Sequence, residues 1–543
     1  MKQNLSACAE LVNDITVNRG VLDEEGNPDD GQFIEWITIG TKENSYNGIF
    51  DGKGCTIRGL YYSNKDTEYL GLFGYTGEEG IVQNVTIEDT YFFGMRAGSM
   101  CGRNHGSIIN CYNKGTIDSV ISSGGISGFA QGLIEGCSNY GSVYGGGNTG
   151  SVSFRIGGIT GGIGSSGIVK DCYNAGSVTA DAATTTGIMG GICGSNISLI
   201  QNCYNTGSIT CGKHGEIGGI AAYTGSLSSQ YPEYVNTIVN CYNSGKVTND
   251  YGSNSYYGIV GNAEYGKVVN CYYLKDVVKS DDYATGKSSL QFKNGEVAFL
   301  LSQGYTVETT DETDGSVSTV TYDGSAWGQN IDNDSERQYY PALNGDTAKV
   351  YETSAESDCQ GYSNTKDKVR EHNFGKDHTD EICDFCCEIK NINYPGLSAE
   401  YSDITYDGKS HTPEITIKAK KADNSDTASS DVDNVSDAGN SGADSSGGSG
   451  SSGDSDVDNS GDAGDSDADN LGDSSEDAGS LTEGIDYEVS ATAQTDVSAD
   501  GYTATITGKG AYAGTRTVQW NIKPIELKLT VAGEATKPYD GTK

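Results

Sequence analysis

"SIINCYNKGTI", Ser107 to Ile117, decides the fold, because close variants of it return along the chain. "IVKDCYNAGSV" begins at Ile168, "LIQNCYNTGSI" at Leu199 and "TIVNCYNSGKV" at Thr237. Alignment on the shared cysteine gives Cys111, Cys137, Cys172, Cys203, Cys241 and Cys271. Three residues earlier stand Ile108, Ile134, Val169, Ile200, Ile238 and Val268, all β-branched and suited to a buried, pleated surface. The next slot accepts Glu135, Lys170 and Gln201, so it faces water. Immediately before each cysteine stand Asn110, Gly136, Asp171, Asn202, Asn240 and Asn270, residue types that tolerate a left-handed backbone, so the chain bends there.

Two earlier segments, "IRGL" at Ile57 and "VQNV" at Val82, fit the same frame and place Leu60 and Val85 in the cysteine slot. The slot then reads Leu60, Val85, Cys111, Cys137, Cys172, Cys203, Cys241, Cys271, an interior ladder in which cysteine behaves as a small hydrophobe. Stacked neighbours lie about 4.8 Å apart with parallel Cβ vectors, whereas a disulfide wants a Cβ separation of about 3.5–4.5 Å. Unbridged thiols are the expectation.

A second strand signal precedes most repeats, as in Gly71-Leu72-Phe73-Gly74, Gly158-Ile159-Thr160-Gly161 and Gly191-Ile192-Cys193-Gly194. A third follows, as in Gly115-Thr116-Ile117 and Gly207-Ser208-Ile209. Each repeat therefore supplies three short strands, one rung of a solenoid. Rung spacings from Leu60 to Cys271 are 25, 26, 26, 35, 31, 38 and 30 residues, as expected when only loops vary. Crossovers of this kind are right-handed by strong default. The predicted fold is all-β, a right-handed parallel β-helix.

After the cysteine come Tyr112, Ser138, Tyr173, Tyr204, Tyr242 and Tyr272. By alternation they face outward as a tyrosine column, either as structural stacking between rungs or as a platform for sugar rings. Loop residues Tyr231, Tyr234, Tyr251, Tyr256 and Tyr257 stand among serine and asparagine, a composition suited to adaptable recognition.

The composition agrees with many short strands and turns: 77 glycines, 35 tyrosines and only 7 prolines in 543 residues. The formal charge of −40 argues against nucleic acid, whose phosphates need a basic face. No apolar run is long enough to span a bilayer, and "MKQNLSACAELVND" lacks the apolar core of a leader. "KPYDGTK" ends inside a recognisable unit, so a fragment of a longer protein is expected.

The Gly-Leu-Phe-Gly and Gly-Gly-Ile-x-Gly strands, "YNGIFDGKGCTIRGL" and the "NCYN-x-G" turns resemble bacterial surface proteins with GLUG-motif repeats, over roughly Asn13 to Tyr273. "FKNGEVAFLLSQG" and "AWGQN…YYPALNG" resemble the segment that closes such arrays. The resemblance implies an extracellular, adhesin-like solenoid whose partners are host or environmental glycans or proteins. Such repeats also occur beside the catalytic part of IgA-type metallopeptidases. "YDGKSHTPEITIKA" from Tyr406 and "GKGAYAGTRTVQWNI" from Gly508 resemble bacterial Ig-like repeats, which are extracellular spacers.

These readings divide the chain into an N-terminal cap (1–45), a β-helix (46–275) and a capping module (276–350) with a short helix near Ala298–Gly304. A Cys/His linker (351–392), an Ig-like domain (393–523) and the start of a second repeat (524–543) follow. Within the Ig-like domain, residues 423–480 carry 15 Asp, one Glu and no Lys or Arg, the composition of a disordered spacer. Asp465 to Glu476 mimics a calcium loop but has Asn470 where the turn needs glycine. In the linker, His372, His378, Cys383 and Cys386 offer four zinc ligands. They crowd into 15 residues, so a local disulfide or an unligated linker stays open beside zinc.

Catalysis on a β-helix would need paired carboxylates on one face, and no slot carries acids consistently; Glu135 stands alone and Asp171 occupies a bend. None of His105, His214, His372, His378 or His411 opens a His-Glu-x-x-His. The expectation is a chain that is not an enzyme: a surface binding protein or, alternatively, a spacer for recognition or catalysis encoded elsewhere.

Overall fold

A computed structural model describes residues 4–146, 154–180, 187–212, 215–225, 236–249, 256–278, 281–310, 317–333, 336–343, 347–374, 380–386, 389–419 and 480–526. The chain divides into two compact units, Met1–Asn373 with Asp384–Cys387, and Phe374–Cys383 with Glu388–Lys543.

The first unit is built on a parallel β-helix. One face is a nine-stranded parallel sheet running from Ala9–Glu10 through Ile49–Asp51, Ile81–Gln83, Ser107–Ile109 and onward to Lys267–Val269. A second face carries seven strands, from Phe73–Thr76 to Val260–Asn262. The remaining strands form the continuous wall between them. Eight spacings of about 4.8 Å give the nine-stranded face a length of about 38 Å. Five strand segments, not three, make a full rung: Ile168–Lys170, Tyr173–Asn174, Val178–Ala180, Gly187–Gly190 and Cys193–Asn196. The two additional segments are Tyr173–Asn174, too short to show alternation, and Gly187–Gly190, in a glycine-rich stretch. In two rungs the wall segments fuse into single strands, Thr86–Gly98 and Tyr112–Gly124.

The bends fall where the asparagines stand. Asn84, Asn110, Asp171, Asn202, Asn240 and Asn270 all adopt φ between 50° and 55°, and Gly136 has φ 64° in the equivalent place. Val85 and the six cysteines are buried, and they join the isoleucines and valines three residues earlier in one core cluster. Leu60 is also buried, but it does not belong to this ladder. Register pairs Phe50 with Val82 and Ile57 with Ile87, which moves "IRGL" onto the next face. Cys55 fills the slot below Val85, its carbonyl accepting the Thr86 N–H as Val85's accepts that of Tyr112. Two bends with positive φ, Gly59 and Asn84, make the two frames look alike.

The N-terminal residues expected to form a cap instead contribute strands. Ala9–Glu10 and Ile15–Thr16 pair in parallel with Ile49–Asp51 and Thr56–Arg58, adding to the column. At the other end, Thr285–Lys287 pairs with Tyr272–Leu274, and the Asp281 carboxylate accepts the Ile259 and Val260 N–H groups at 2.5 and 3.2 Å. Two backbone donors of the last rung are thereby satisfied. Helices Ser289–Lys293 and Glu296–Ser302 follow, the first opened by a capping box between Ser288 and Gln291. They lie against the outer tyrosine face, where Phe292, Val297, Leu301 and Trp327 cluster with Tyr242, Tyr272 and Leu274.

The second unit is a small all-β body. Tyr487–Ala491, Tyr502–Gly508 and Thr515–Trp520 form an antiparallel sheet, and Leu397–Tyr401 pairs with Ile415–Ala419. Ile417, Tyr487, Ile506, Trp520 and Ile522 fill the core between them, with the Tyr487 hydroxyl on the Ile415 carbonyl at 2.7 Å. Lys418 bridges Ser480, so the acidic insertion leaves and re-enters at adjacent points. The insertion expected to be disordered and its calcium-like loop at 465–476 lie outside the described residues, save Ser480. The segment 524–543, expected to open a second repeat, is described only to residue 526.

Candidate binding face of the column

A buried column of asparagines that sequence reasoning missed lies two residues past the cysteines. The side-chain amides of Asn113, Asn139, Asn174 and Asn205 each donate to the next residue's Oδ1, ending on Asn243, at 2.7 to 2.8 Å. Each also donates to a carbonyl two residues ahead, as Asn174 does to Gly176 at 2.8 Å. The signal is present in the repeat, since asparagine occupies that slot in five consecutive rungs. The ladder also explains the Gly-Gly-Ile motif: a Cβ on Gly158 would sit 2.2 Å from Asn174 Cγ. With this column buried, the side chains that remain for recognition are those on the outer wall.

The tyrosine column exists, but most of it is covered. Tyr173, Tyr204 and Tyr242 stack with ring centroids 4.7 and 5.0 Å apart and interplanar angles of 11° and 7°. Tyr242 is fully buried under Phe292 and Trp327, with its hydroxyl on the Pro341 carbonyl at 2.7 Å. Tyr272 is 9% exposed and donates to Asn270, and Tyr204 lies 5.8 Å from the Trp327 ring. The capping module thus buries Tyr242 and Tyr272 and leaves Tyr204 only partly exposed, which corrects their assignment as binding residues. Tyr256 and Tyr257 form a strand paired with Ile217 and Gly218, and Tyr256 packs on the core, so they are wall residues too. Tyr231, Tyr234 and Tyr251 lie outside the described residues.

What stays open is the opposite end of the column. Tyr112 is 37% exposed, and Tyr140 stands edge-on to Tyr173 at 5.6 Å. Beside Tyr112 is a cleft of about 490 Å³ lined by Lys53, Gly54, Asn84, Thr86, Asn110 and Tyr112. The positive-φ bends of Asn84 and Asn110 set its floor. Asp51 braces it from behind, accepting from the Lys53 N–H at 2.8 Å and the Asn84 amide at 3.1 Å. Those donors, the Lys53 N–H foremost, hold the Asp51 carboxyl far below the usual range. Lys53 Nζ bridges Asp51 and Glu10, each at 3.2 Å. An aromatic ring beside amides, a hydroxyl and an ammonium is an arrangement that can stack on an apolar ligand face while hydrogen-bonding its edge.

Of the expected metal ligands, Cys383 is buried in the second unit, its N–H on the Ile389 carbonyl at 2.9 Å. His372 and Cys386 lie together in the first unit, 3.7 Å apart from Nδ1 to Sγ. His378 lies outside the described residues.

No protein-family model matches the chain, so its resemblance to GLUG and Ig-like repeats rests on the motifs alone. A 79-residue stretch, 14% of the chain, is 35% identical to a Gly-rich membrane protein of Evansella cellulosilytica and covers 9% of it. A 109-residue stretch, 20% of the chain, is 28% identical to halomucin of Haloquadratum walsbyi and covers 1% of it. The chain therefore matches only a small part of either relative's length. Among solved structures, an IgA1 protease is similar over 50% of this chain and 20% of its own, with 19% identity and a TM-score of 0.35. A Bacteroides ovatus protein named as an immunoglobulin A1 protease covers 62% of this chain and 86% of its own, with 17% identity and a TM-score of 0.35. Because both structures are named proteases, the expectation that the chain is not an enzyme is corrected and withdrawn. At such TM-scores the likeness assigns no peptidase chemistry to this chain either. Among the described residues no helix is long and apolar enough to cross a membrane, which says nothing of strands.

Proposed function

We propose that the chain is part of a bacterial surface protein, a rigid β-helical column that binds glycans through the cleft beside Tyr112. The carrying observation is that cleft: an exposed ring, two bent asparagines and Lys53 around about 490 Å³, on a part of the tyrosine face that stays open among the described residues. A surface location is supported by the names of the relatives, a membrane protein and a halomucin. The net charge of −40 favours neutral or cationic saccharides over sulfated or sialylated ones.

The test is a glycan array followed by calorimetric titration of the whole chain and of Tyr112→Ala. Loss of the ring should weaken binding by roughly tenfold or more, about 1.4 kcal/mol, while Tyr283→Ala, exposed elsewhere, leaves it unchanged. Saccharide binding that ignores both changes would remove the cleft from the account. A second reading, a spacer that holds recognition elements encoded elsewhere, is favoured by the burial of Tyr242 and Tyr272 as structural stacking. It predicts no hits on the array.

A further inference from the structure

The linker joins the first unit through a third cysteine that lies far from the Cys-x-x-Cys in sequence. Cys359 is fully buried, and its Sγ, a ring nitrogen of His372 and Cys386 Sγ lie within 4.8 Å of one another. Three segments of that unit are clamped to make this cluster. The Cys359 N–H donates to the Arg370 carbonyl at 3.1 Å, and Ser357 Oγ donates to that of Lys368 at 3.1 Å, which lays the first segment along the second. Asn373 and Asp384 exchange a backbone bond of 2.8 Å and a side-chain bond of 3.2 Å, which brings in the third. The Asn294 amide at the helix cap holds the Phe385 carbonyl at 2.9 Å, and the Arg370 guanidinium lies 4.0 Å over the Phe385 ring and pairs with Asp332.

Two soft thiols and an imidazole converging at that range, in a segment with almost no helix or sheet to hold it, form a metal-binding set. Adding Cys359 also removes the crowding of the linker ligands. Cys359, His372 and Cys386 follow the spacing Cys-x12-His-x13-Cys across 28 residues, two arms rather than one run.

We propose that Cys359, His372 and Cys386 bind one zinc ion that ties together the three linker segments carrying them. Binding would release the thiol protons, since each sulfur coordinates as thiolate.

The experiment uses the whole chain, purified reduced. Elemental analysis should find one zinc per chain, and cobalt exchanged into the site should show thiolate-to-metal charge transfer with the intense visible bands of a tetrahedral site. Cys359→Ser and His372→Ala should each lose stoichiometric metal with an unchanged far-UV spectrum for the β-helix. Cys8→Ser, an exposed thiol next to the first strand, should keep full metal and the full cobalt spectrum. Three results would overturn the proposal. One is a reduced chain that takes up no zinc or cobalt. Another is peptide mapping that finds Cys359 or Cys386 in a disulfide. The third is loss of metal in Cys8→Ser equal to that in Cys359→Ser.

Discussion

Asn174 shows what a single side chain does in this fold. It accepts from Asn139 and donates to Asn205 and Gly176, so no lone replacement can satisfy its neighbours. Asn174→Ala should cost about 1–3 kcal/mol for each buried partner left unmade, measurable as a lowered denaturant midpoint. Asn139→Asp should be worse, because a buried carboxylate has no proton to donate and sets its charge against Asn174 Oδ1 and the Gly141 carbonyl. The cysteines behave differently. Burial holds the thiols of Cys111, Cys137, Cys203 and Cys271 well above the ordinary range and pushes Cys101 and Cys193 up to about 12. In the unfolded chain these thiols ionise near the ordinary value of 9.0, while the folded column keeps their protons. The unfolded state then binds fewer protons, so stability falls as pH rises from about 9 toward 12, by about 1.4 kcal/mol per pH unit for each such thiol. Urea titrations across that window should show the slope, and Cys193→Ala should make it shallower; a pH-independent midpoint would contradict the burial. The thiol slot is legible in the sequence because Val85 shares it, which marks the position as apolar packing. The amide ladder is not. Polar residues in a turn-like motif read as surface, and only the stacking of rungs makes asparagine its own partner in the interior.

Among the strands and helices, the capping module decides which tyrosines meet solvent. Alternation along "NCYN" places these side chains outward correctly, but it cannot foresee a later segment folding back over them. Phe292 lies 50 residues beyond Tyr242 and Trp327 lies 85 beyond it, too remote for any local pattern to link the rings. Only tertiary packing does so. The Gly-x-x-Gly and Ile-x-Asn-Cys strands, by contrast, are legible from their apolar alternation. Register at the first rungs is not, since Gly59 and Asn84 both bend with positive φ and only the pairing of Ile57 with Ile87 tells the frames apart. Trp327→Ala should cost about 3–5 kcal/mol, the range for emptying a large buried aromatic, and should uncover Tyr204 and Tyr242. Tyrosine fluorescence quenching by acrylamide would report the exposure. If stability and quenching both stay at the parental values, the helices do not seal this face.

For the column in its entirety, the governing property is that each rung touches only its neighbours, so stability is close to a sum of rung and interface terms. Successive rungs are interchangeable in register: Tyr173 pairs with Tyr204, Val169 with Ile200, and Val178 with Ile209. Removing residues 173–203 joins Cys172 to Tyr204 and deletes one complete turn without changing the sequence pattern at the junction. The asparagine ladder closes again from Asn139 to Asn205, and the capping module keeps Tyr204, Tyr242 and Tyr272 beneath it. The shortened chain should therefore fold, keep its β-helical far-UV spectrum and shorten by about 4.8 Å. A deletion of equal length out of register, residues 188–218, should not. Gly187 pairs with Gly215, so joining it to Gly219 strips Glu216, Ile217 and Gly218 from the wall strand and shifts every later pairing. Comparison of the two by circular dichroism and small-angle scattering decides the matter. Equal unfolding of both would mean that the column folds as an indivisible body, and equal folding would mean that register does not hold the rungs together.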